Sequence, residues 1–319
     1  MKKIDIIIPC YNEEQMIELF YFTASKITNE IENYKFEYIM INDGSSDNTI
    51  KLIRDLAKEN DNVKYISFSR NFGKEAAILA GLRKSDGDYA VIMDADLQHP
   101  PEILKDMIKK LEEGYDSVST KRVSRNGEGK YRGVFSKAFF KLINKISDTK
   151  VIEGATDFRI MSRQMINSIL ELSEYHRFSK GIFEWVGYDT YWLEYTSEDR
   201  VMGETKWSYL GLFKYAIEGI VSFSTVPLKI SSIIGVIISI LSFIYFIITF
   251  IQTLILGKEV PGYASIICLI TFIGGIQLIA LGIIGEYLSR TYIQVKNRPI
   301  YVIKETNKET NNIKNRRDK

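Results

Sequence analysis

Apolar residues in the N-terminal half of the chain fall in short runs separated by longer amphipathic stretches. Ile4 to Ile8, ended by Pro9, predicts a strand and then a loop; Phe36 to Ile41, Val63 to Phe68 and Tyr89-Ala-Val-Ile-Met93 predict three more strands. Between them, Glu13 to about Ile31, a stretch ending near Glu59, and Lys74 to Arg83 carry helical spacing. Short strands alternating with such helices predict βαβ units and a mainly parallel sheet, an α/β fold. Ligands of such sheets bind beyond the carboxyl ends of the strands. Tyr11-Asn-Glu13, Asp43-Gly-Ser45 and Asp94-Ala-Asp96, which follow the first, second and fourth strands, are therefore expected to open onto one crevice.

Beyond Ser119 the alternation loosens. The stretch from Lys121 to Arg132 is basic and contains glycine, without period, and predicts a loop able to close on an anion; Arg122, Arg125, Lys130 and Arg132 are its cations. A helix to about Ile146 follows. Gly154-Ala-Thr-Asp157-Phe-Arg159 is expected to be a turn, Arg163 to Leu172 a helix, and the segment through Tyr195 a strand. From Ser208 to Ser224 apolar residues recur at helical spacing, which predicts an amphipathic helix at a membrane surface.

Two stretches then change the picture. Ile230 to Leu256 is 27 residues without Asp, Glu, Lys or Arg, and Val260 to Gly285 is another 26. At ~1.5 Å per residue each is long enough to cross a hydrocarbon core of ~30 Å. The organisation expected is a polar domain at 1–207, an interfacial helix at 208–228, a two-helix membrane hairpin at 229–289 and a basic tail at 290–319. That tail, polar after Tyr301, is expected to be disordered and drawn to anionic lipid. Lys206, Lys214 and Lys229 precede the first apolar stretch and Arg290, Lys296 and Arg298 follow the second, so the polar domain and C-terminus are placed in the cytoplasm. Met1-Lys2-Lys3 runs straight into a strand with no signal-peptide core, and Cys10 and Cys268 are too differently placed to pair, which suits a reducing compartment. The 42 basic and 40 acidic side chains nearly cancel, so net charge gives no reason to expect a nucleic-acid partner. Gly274-Gly275 and Gly282 would allow close helix packing, as in a dimer or tetramer.

The candidate chemistry centres on Asp94 and Asp96. At strand period an i, i+2 spacing turns both carboxylates to one side. Such hard oxygens suit a divalent cation, Mg²⁺ or Mn²⁺, and Gln98 offers a third ligand. Pro100-Pro101 is expected to open the next helix. His99 is not expected to be a ligand, because oxygen donors already supply the site.

Taken in order, Pro9-Cys-Tyr11-Asn-Glu13-Glu14, Asn42-Asp43-Gly44-Ser45-Ser46-Asp47, Arg70-Asn71-Phe72-Gly73-Lys74 and Asp94-Ala-Asp96-Leu-Gln98-His-Pro-Pro-Glu102 resemble the signature of the inverting, GT-A-fold family 2 glycosyltransferases. Thr156-Asp157-Phe158-Arg159 and Arg200-x-x-Gly203-x-Thr205-Lys206-Trp207 resemble its polyprenyl-phosphate branch, which includes dolichol-phosphate mannosyltransferase and bacterial undecaprenyl-phosphate glucosyltransferases. The resemblance covers residues 4 to 298 and departs at Asn42, where many members have Asp. The Gln-x-x-Arg-Trp motif of processive synthases is absent. The resemblance implies transfer of glucose from UDP-glucose to undecaprenyl phosphate at the inner membrane. N-acetylglucosamine, galactose or mannose as the sugar, diacylglycerol as the acceptor, or a non-catalytic sugar-nucleotide-binding partner are its alternatives. It implies that Pro9, Tyr11, Glu13 and Asp43 hold the nucleoside. Asp94 and Asp96 would hold the cation, while Arg200 and Lys206 meet phosphate. Asp157 would orient attack by the acceptor, whose phosphate meets Arg122, Arg125, Arg132 and Arg159. Lys74 is left between a ligand contact and an ordinary helix N-terminal residue.

If both ends of the apolar pair are cytoplasmic, Lys258→Cys should react with a membrane-impermeant thiol reagent in intact cells, and Lys314→Cys should not. The reverse labelling pattern would overturn this topology.

Overall fold

The computed structural model describes residues 1–122, 144, 152–195, 221, 224–256 and 262–307. Its first unit is an eight-stranded sheet in the order β7-β5-β6-β4-β1-β2-β3-β8. The strands and helices run β1 (Lys2–Cys10), α1 (Ile17–Asn29), β2 (Tyr34–Asn42), α2 (Thr49–Glu59), β3 (Val63–Phe68), α3 (Lys74–Lys84), β4 (Tyr89–Ile92), α4 (Ile103–Glu112), β5 (Ser117–Arg122), β6 (Ala155–Ser162), α5 (Arg163–Glu171), α6 (Ser179–Trp185) and β7 (Thr190–Tyr195). The second unit carries α7 (Val226–Leu256) and α8 (Tyr263–Val295), after which the chain rejoins the first unit as β8 (Ile303–Thr306).

The sheet is mainly parallel, as the alternation predicts. β1 lies between β2 and β4, parallel to both, and β5 pairs with β7 in parallel. Two strands are reversed: β6 is antiparallel to β4 and β5, and β8 is antiparallel to β3. The central strands are apolar on both sides because both faces are covered. Ile4, Ile6 and Ile8 join a core with Ile17 and Phe20 of α1, Ile53 of α2 and Leu104 and Met107 of α4. Ile7 and Ile41 meet α3 on the opposite face, where Gly81 lets the helix seat against β1; a Cβ there would overlap the Ile7 side chain. At the amino-terminal end of the strands Asp5, Glu37 and Asp86 come together, and Lys3 and Lys64 both reach Glu37, at 2.7 and 2.5 Å. That cluster is an ion network, largely offset by the two lysines, at the end of the sheet away from the loops that follow β1, β2 and β4.

Several expected boundaries move. The first helix starts at Ile17 and not Glu13, because the N–H groups of Asn12, Glu13 and Glu14 are bonded into the neighbouring loop. Pro100 and Pro101 sit in the turn before α4, their carbonyls accepting from Ile103 and Leu104, so the helix begins at Ile103. Asp157 and Arg159 are not on a turn but in β6. The residues after Tyr301 were expected to be a disordered tail, yet Ile303–Thr306 is a strand. Its Glu305 takes the Arg54 guanidinium in a fork, 2.8 Å from Nε and 2.8 Å from Nη2. The polar composition that suggested disorder is that of an edge strand, one face of which meets water.

α7 and α8 are 31 and 33 residues long, and each holds a segment apolar enough to cross a membrane, with mean hydropathy 2.7 and 2.2. Their large side chains are exposed, Ile233 at 58% and Phe272 at 64%, a surface that water would not favour. The interfacial helix expected at 208–228 lies largely outside the described residues; α7 begins within its last turn.

Gly81→Ala tests the seating of α3. Helix propensity alone would favour Ala by ~1 kcal/mol, whereas overpacking a tight contact costs ~1–3 kcal/mol. Thermal unfolding followed by circular dichroism should shift to lower temperature; a raised midpoint would mean α3 does not press on β1 there.

Candidate active site

Four loops at the carboxyl ends of β1, β2, β3 and β4 are tied to one another in sequence. Asn12 takes a left-handed φ of 54°, which Asn tolerates, and its side-chain oxygen accepts from Ser46 N–H at 2.9 Å while its own N–H donates to Ser45 Oγ at 3.0 Å. Glu13 N–H donates to Thr49 Oγ1 at 2.8 Å. Asn42 makes the local turn, its Oδ1 accepting from Ser45 N–H at 3.2 Å, and its amide donates to Ser67 Oγ at 2.9 Å. That leaves Asp43 to reach across to the next loop. Its two carboxylate oxygens accept from Phe72 N–H at 2.7 Å and Gly73 N–H at 2.9 Å. Gly44, at φ 65°, makes this approach feasible, since a Cβ would overlap the Arg70 backbone. Burial pushes the Asp43 carboxyl up, and the two amides pull only partly the other way.

The fourth loop is joined by a charge. Lys74, the first residue of α3, places Nζ 2.7 Å from Asp94 Oδ1, 2.8 Å from Asp94 Oδ2 and 2.6 Å from Asp157 Oδ2. Asp157 arrives from β6, the reversed strand beside β4. Burial would raise its carboxyl, but Lys74 and Lys180 outweigh this and hold it well below the usual range. Burial by itself would lower the Lys74 ammonium; the two carboxylates reverse that and keep it protonated. Asp96, two residues beyond Asp94, accepts from Gln98 N–H at 3.1 Å.

Beside these groups lies a cavity of about 310 Å³; Asp157 is not among its lining residues and meets it through Lys74. Pro9, Tyr11, Glu13, Asp43, Asp94 and Asp96 line it; the three loops carrying Tyr11, Asp43 and Asp94 meet at one crevice, as the alternation of strands and helices predicted, while Pro9 was implied by the resemblance alone. Lys74 lines it too. Cys10, Asn71, Gly73, Ala77 and Ala95 complete the wall and were not singled out for it. Asn71 and Gly73 lay inside the quoted Arg70–Lys74 motif; nothing in the sequence pattern marked the small side chains. Burial first, then Glu13 and Asp94, drives the Cys10 thiol far up, so it presents no thiolate.

Gln98 follows Asp96 and donates its N–H to it, and is not among the lining residues of the cavity. One expectation needs correcting. Arg159, expected at a phosphate, is 2% exposed, pairs with Glu184 at 2.8 Å and lies under the rings of Phe183 and Trp192. It packs α6 against the sheet through Nη2, with Nε and Nη1 buried and without a hydrogen-bond partner among the described residues. Among the described residues Asp157 pairs with Lys74, whereas Arg159 pairs with Glu184. His99 is buried, its Nδ1 2.5 Å from the Tyr195 hydroxyl. Arg122 ends β5 with its N–H on the Gly154 carbonyl at 2.9 Å and does not line the cavity. Arg125, Arg132, Arg200 and Lys206 lie outside the described residues.

Comparison with known proteins follows the same division of the chain. Residues 5–170 match the Glycosyl transferase family 2 profile and residues 226–291 match the GtrB C-terminal hairpin. The chain is 47% identical to CsbB of Bacillus subtilis (strain 168) over 320 residues, 98% of this chain and 97% of that one. It is 42% identical to a prophage bactoprenol glucosyl transferase homolog of Escherichia coli (strain K12), over 96% of this chain and 100% of the other. To the bactoprenol glucosyl transferase of Shigella phage SfII it is 43% identical, over 96% and 99% of the two chains.

Proposed function

The chain belongs to glycosyltransferase family 2, and from that premise we propose that it transfers glucose from UDP-glucose to a polyprenyl phosphate, undecaprenyl phosphate, in one inverting displacement at the cytoplasmic face of a membrane. The observation that carries the proposal is the combination on one chain of the acidic cavity and the two long apolar helices, matched over nearly full length by bactoprenol glucosyl transferases. A polyprenyl phosphate keeps its head at the membrane interface, so an enzyme acting on it gains from being anchored there. β8 follows α8 in the chain and pairs with β3, so residues before and after the apolar pair belong to one folded unit. This supports a hairpin that crosses and returns, with both its ends on the side of the catalytic domain.

The residues present fit a hard divalent cation. Asp94 and Asp96 offer carboxylate oxygens on a wall that also carries Glu13 and Asp43, with Lys74 the one cation among its lining residues, a net negative surface that suits Mg²⁺ or Mn²⁺. The donors are oxygens, since Cys10 is held as a thiol. Asp94 and Asp96 would hold the ion, which when bound offsets charge on the departing diphosphate. Pro9, Tyr11, Glu13 and Asp43 form the wall that would take the nucleoside. The Asp43 carboxylate is already committed to two backbone amides, so it shapes that wall more than it supplies a free acceptor. Lys74 and Lys180 favour the ionised form of Asp157. A phosphate monoester has its second pKa near ~6 and is mostly dianionic there, so little proton removal is needed. Asp157 instead fixes Lys74 and orients the attack. Arg125, Lys130, Arg132, Arg200 and Lys206 are the cations we assign to the phosphates of donor and acceptor.

Purified protein in detergent, given labelled UDP-glucose, undecaprenyl phosphate and Mg²⁺ or Mn²⁺, should form a glucosylated lipid phosphate. Excess chelator should abolish turnover, and Asp96→Asn should lower it by about 10²-fold or more, as for loss of a group that stabilises the transition state. Transfer from another sugar nucleotide alone would overturn the choice of glucose. Transfer to diacylglycerol alone would overturn the acceptor, and full turnover in chelator would overturn the metal.

A further inference from the structure

The loop from Ser69 to Gly73 brings Lys74 to the site, and it is gripped from two directions. On the cavity side Asp43 takes the Phe72 and Gly73 amides. On the other side stands the segment that follows α8. The Tyr301 ring stacks on Phe68 with centroids 4.9 Å apart and planes at 16°. Phe68, the last residue of β3, meets Phe72 edge-on at 5.8 Å and 88°. The Arg70 guanidinium covers the Phe72 ring at 4.5 Å, and Ser69 N–H donates to the Val302 carbonyl at 3.0 Å. Arg83 of α3 lies over the outer face of Tyr301 at 5.6 Å. Pro299–Lys319 belongs to the same folded unit as the sheet, so every contact in this series is internal to one body.

We propose that Tyr301 is a positioning residue for the transferase site, acting through Phe68 and Phe72 to hold the 69–73 loop in the register that sets Lys74 between Asp94 and Asp157. This rests on that site being the one that performs the transfer. The physical basis is that each aromatic pair has a preferred geometry, offset-stacked or edge-to-face, and transmits position rather than only apolar area. Reacting groups tolerate little displacement; a shift of about 1 Å can cost on the order of 10²-fold in rate. A four-residue strand at the edge of an eight-stranded sheet is a small part of the core, so its loss should loosen the loop well before it unfolds the domain.

Hydrogen exchange on the full-length protein in detergent, without substrate, reads the brace directly. In Tyr301→Ala the Phe72 and Gly73 amides should lose protection at least ~10-fold, with β1 and β2 amides unchanged, and turnover should fall by about 10-fold or more. Tyr301→Phe keeps the ring and should restore both readouts. Glu305→Ala breaks the fork with Arg54 farther along β8 and leaves the stack, so it should leave the loop amides and turnover near their original values. Unchanged protection of Phe72 and Gly73 in Tyr301→Ala would overturn the proposal, as would equal effects of Tyr301→Ala and Glu305→Ala, or loss of protection across the whole sheet. Because exchange is measured without donor or lipid, it reports on the brace even if glucose or the acceptor is wrongly assigned.

Discussion

One ammonium group holds this site together. Lys74 bonds Asp94 and Asp157 at 2.7 and 2.6 Å, and in doing so joins a loop after β4 to a strand that runs the opposite way. Without a cation between them, two carboxylates that close would repel, and burial would push at least one toward its neutral form. With it, Asp157 stays ionised well below the usual range. The ammonium also has to arrive at the right place, and its position at the first turn of α3 is set by the loop before it. Every bond that fixes the 69–73 loop therefore bears on the charge balance of the cavity.

Those bonds come from residues far apart in sequence. Asp43 reaches the loop from β2, Gly44 makes room for it, and Tyr301 and Val302 reach it after an excursion through both long apolar helices. A glycosyltransferase acting on a lipid phosphate has to combine a donor cavity with a membrane anchor. In this chain the unit that carries the cavity is continuous with the apolar helix pair at both ends, since the strand after α8 is part of its sheet.

Much of this was legible beforehand. Apolar runs ended by Pro9, Asn42 and Asp94 placed the strands, and the parallel-sheet rule put Tyr11, Asp43 and Asp94 at one crevice. Local periodicity carries that information because each strand must be apolar on both faces. What it could not carry was pairing between distant segments. Asp157 read as a turn because Gly154 and Thr156 precede it, whereas β5 and β4 recruit it into a reversed strand. Arg159 read as a phosphate ligand because its charge was visible and the facing Glu184 was not. Lys74 stood undecided since its two carboxylates lie 20 and 83 positions away. The strand at Ile303–Thr306 has an edge-strand composition, and only its neighbour β3 distinguishes it from a polar tail.

A double-mutant cycle on Lys74 and Asp157 tests the central claim most directly. Turnover is measured for Lys74→Met, Asp157→Asn and the pair. If the ammonium and the carboxylate act as one unit, the double variant should be hardly slower than the slower single variant, a coupling in the range of ~1–3 kcal/mol typical of directly paired groups. Rate losses that simply multiply would show that the two residues act independently, and would contradict the account.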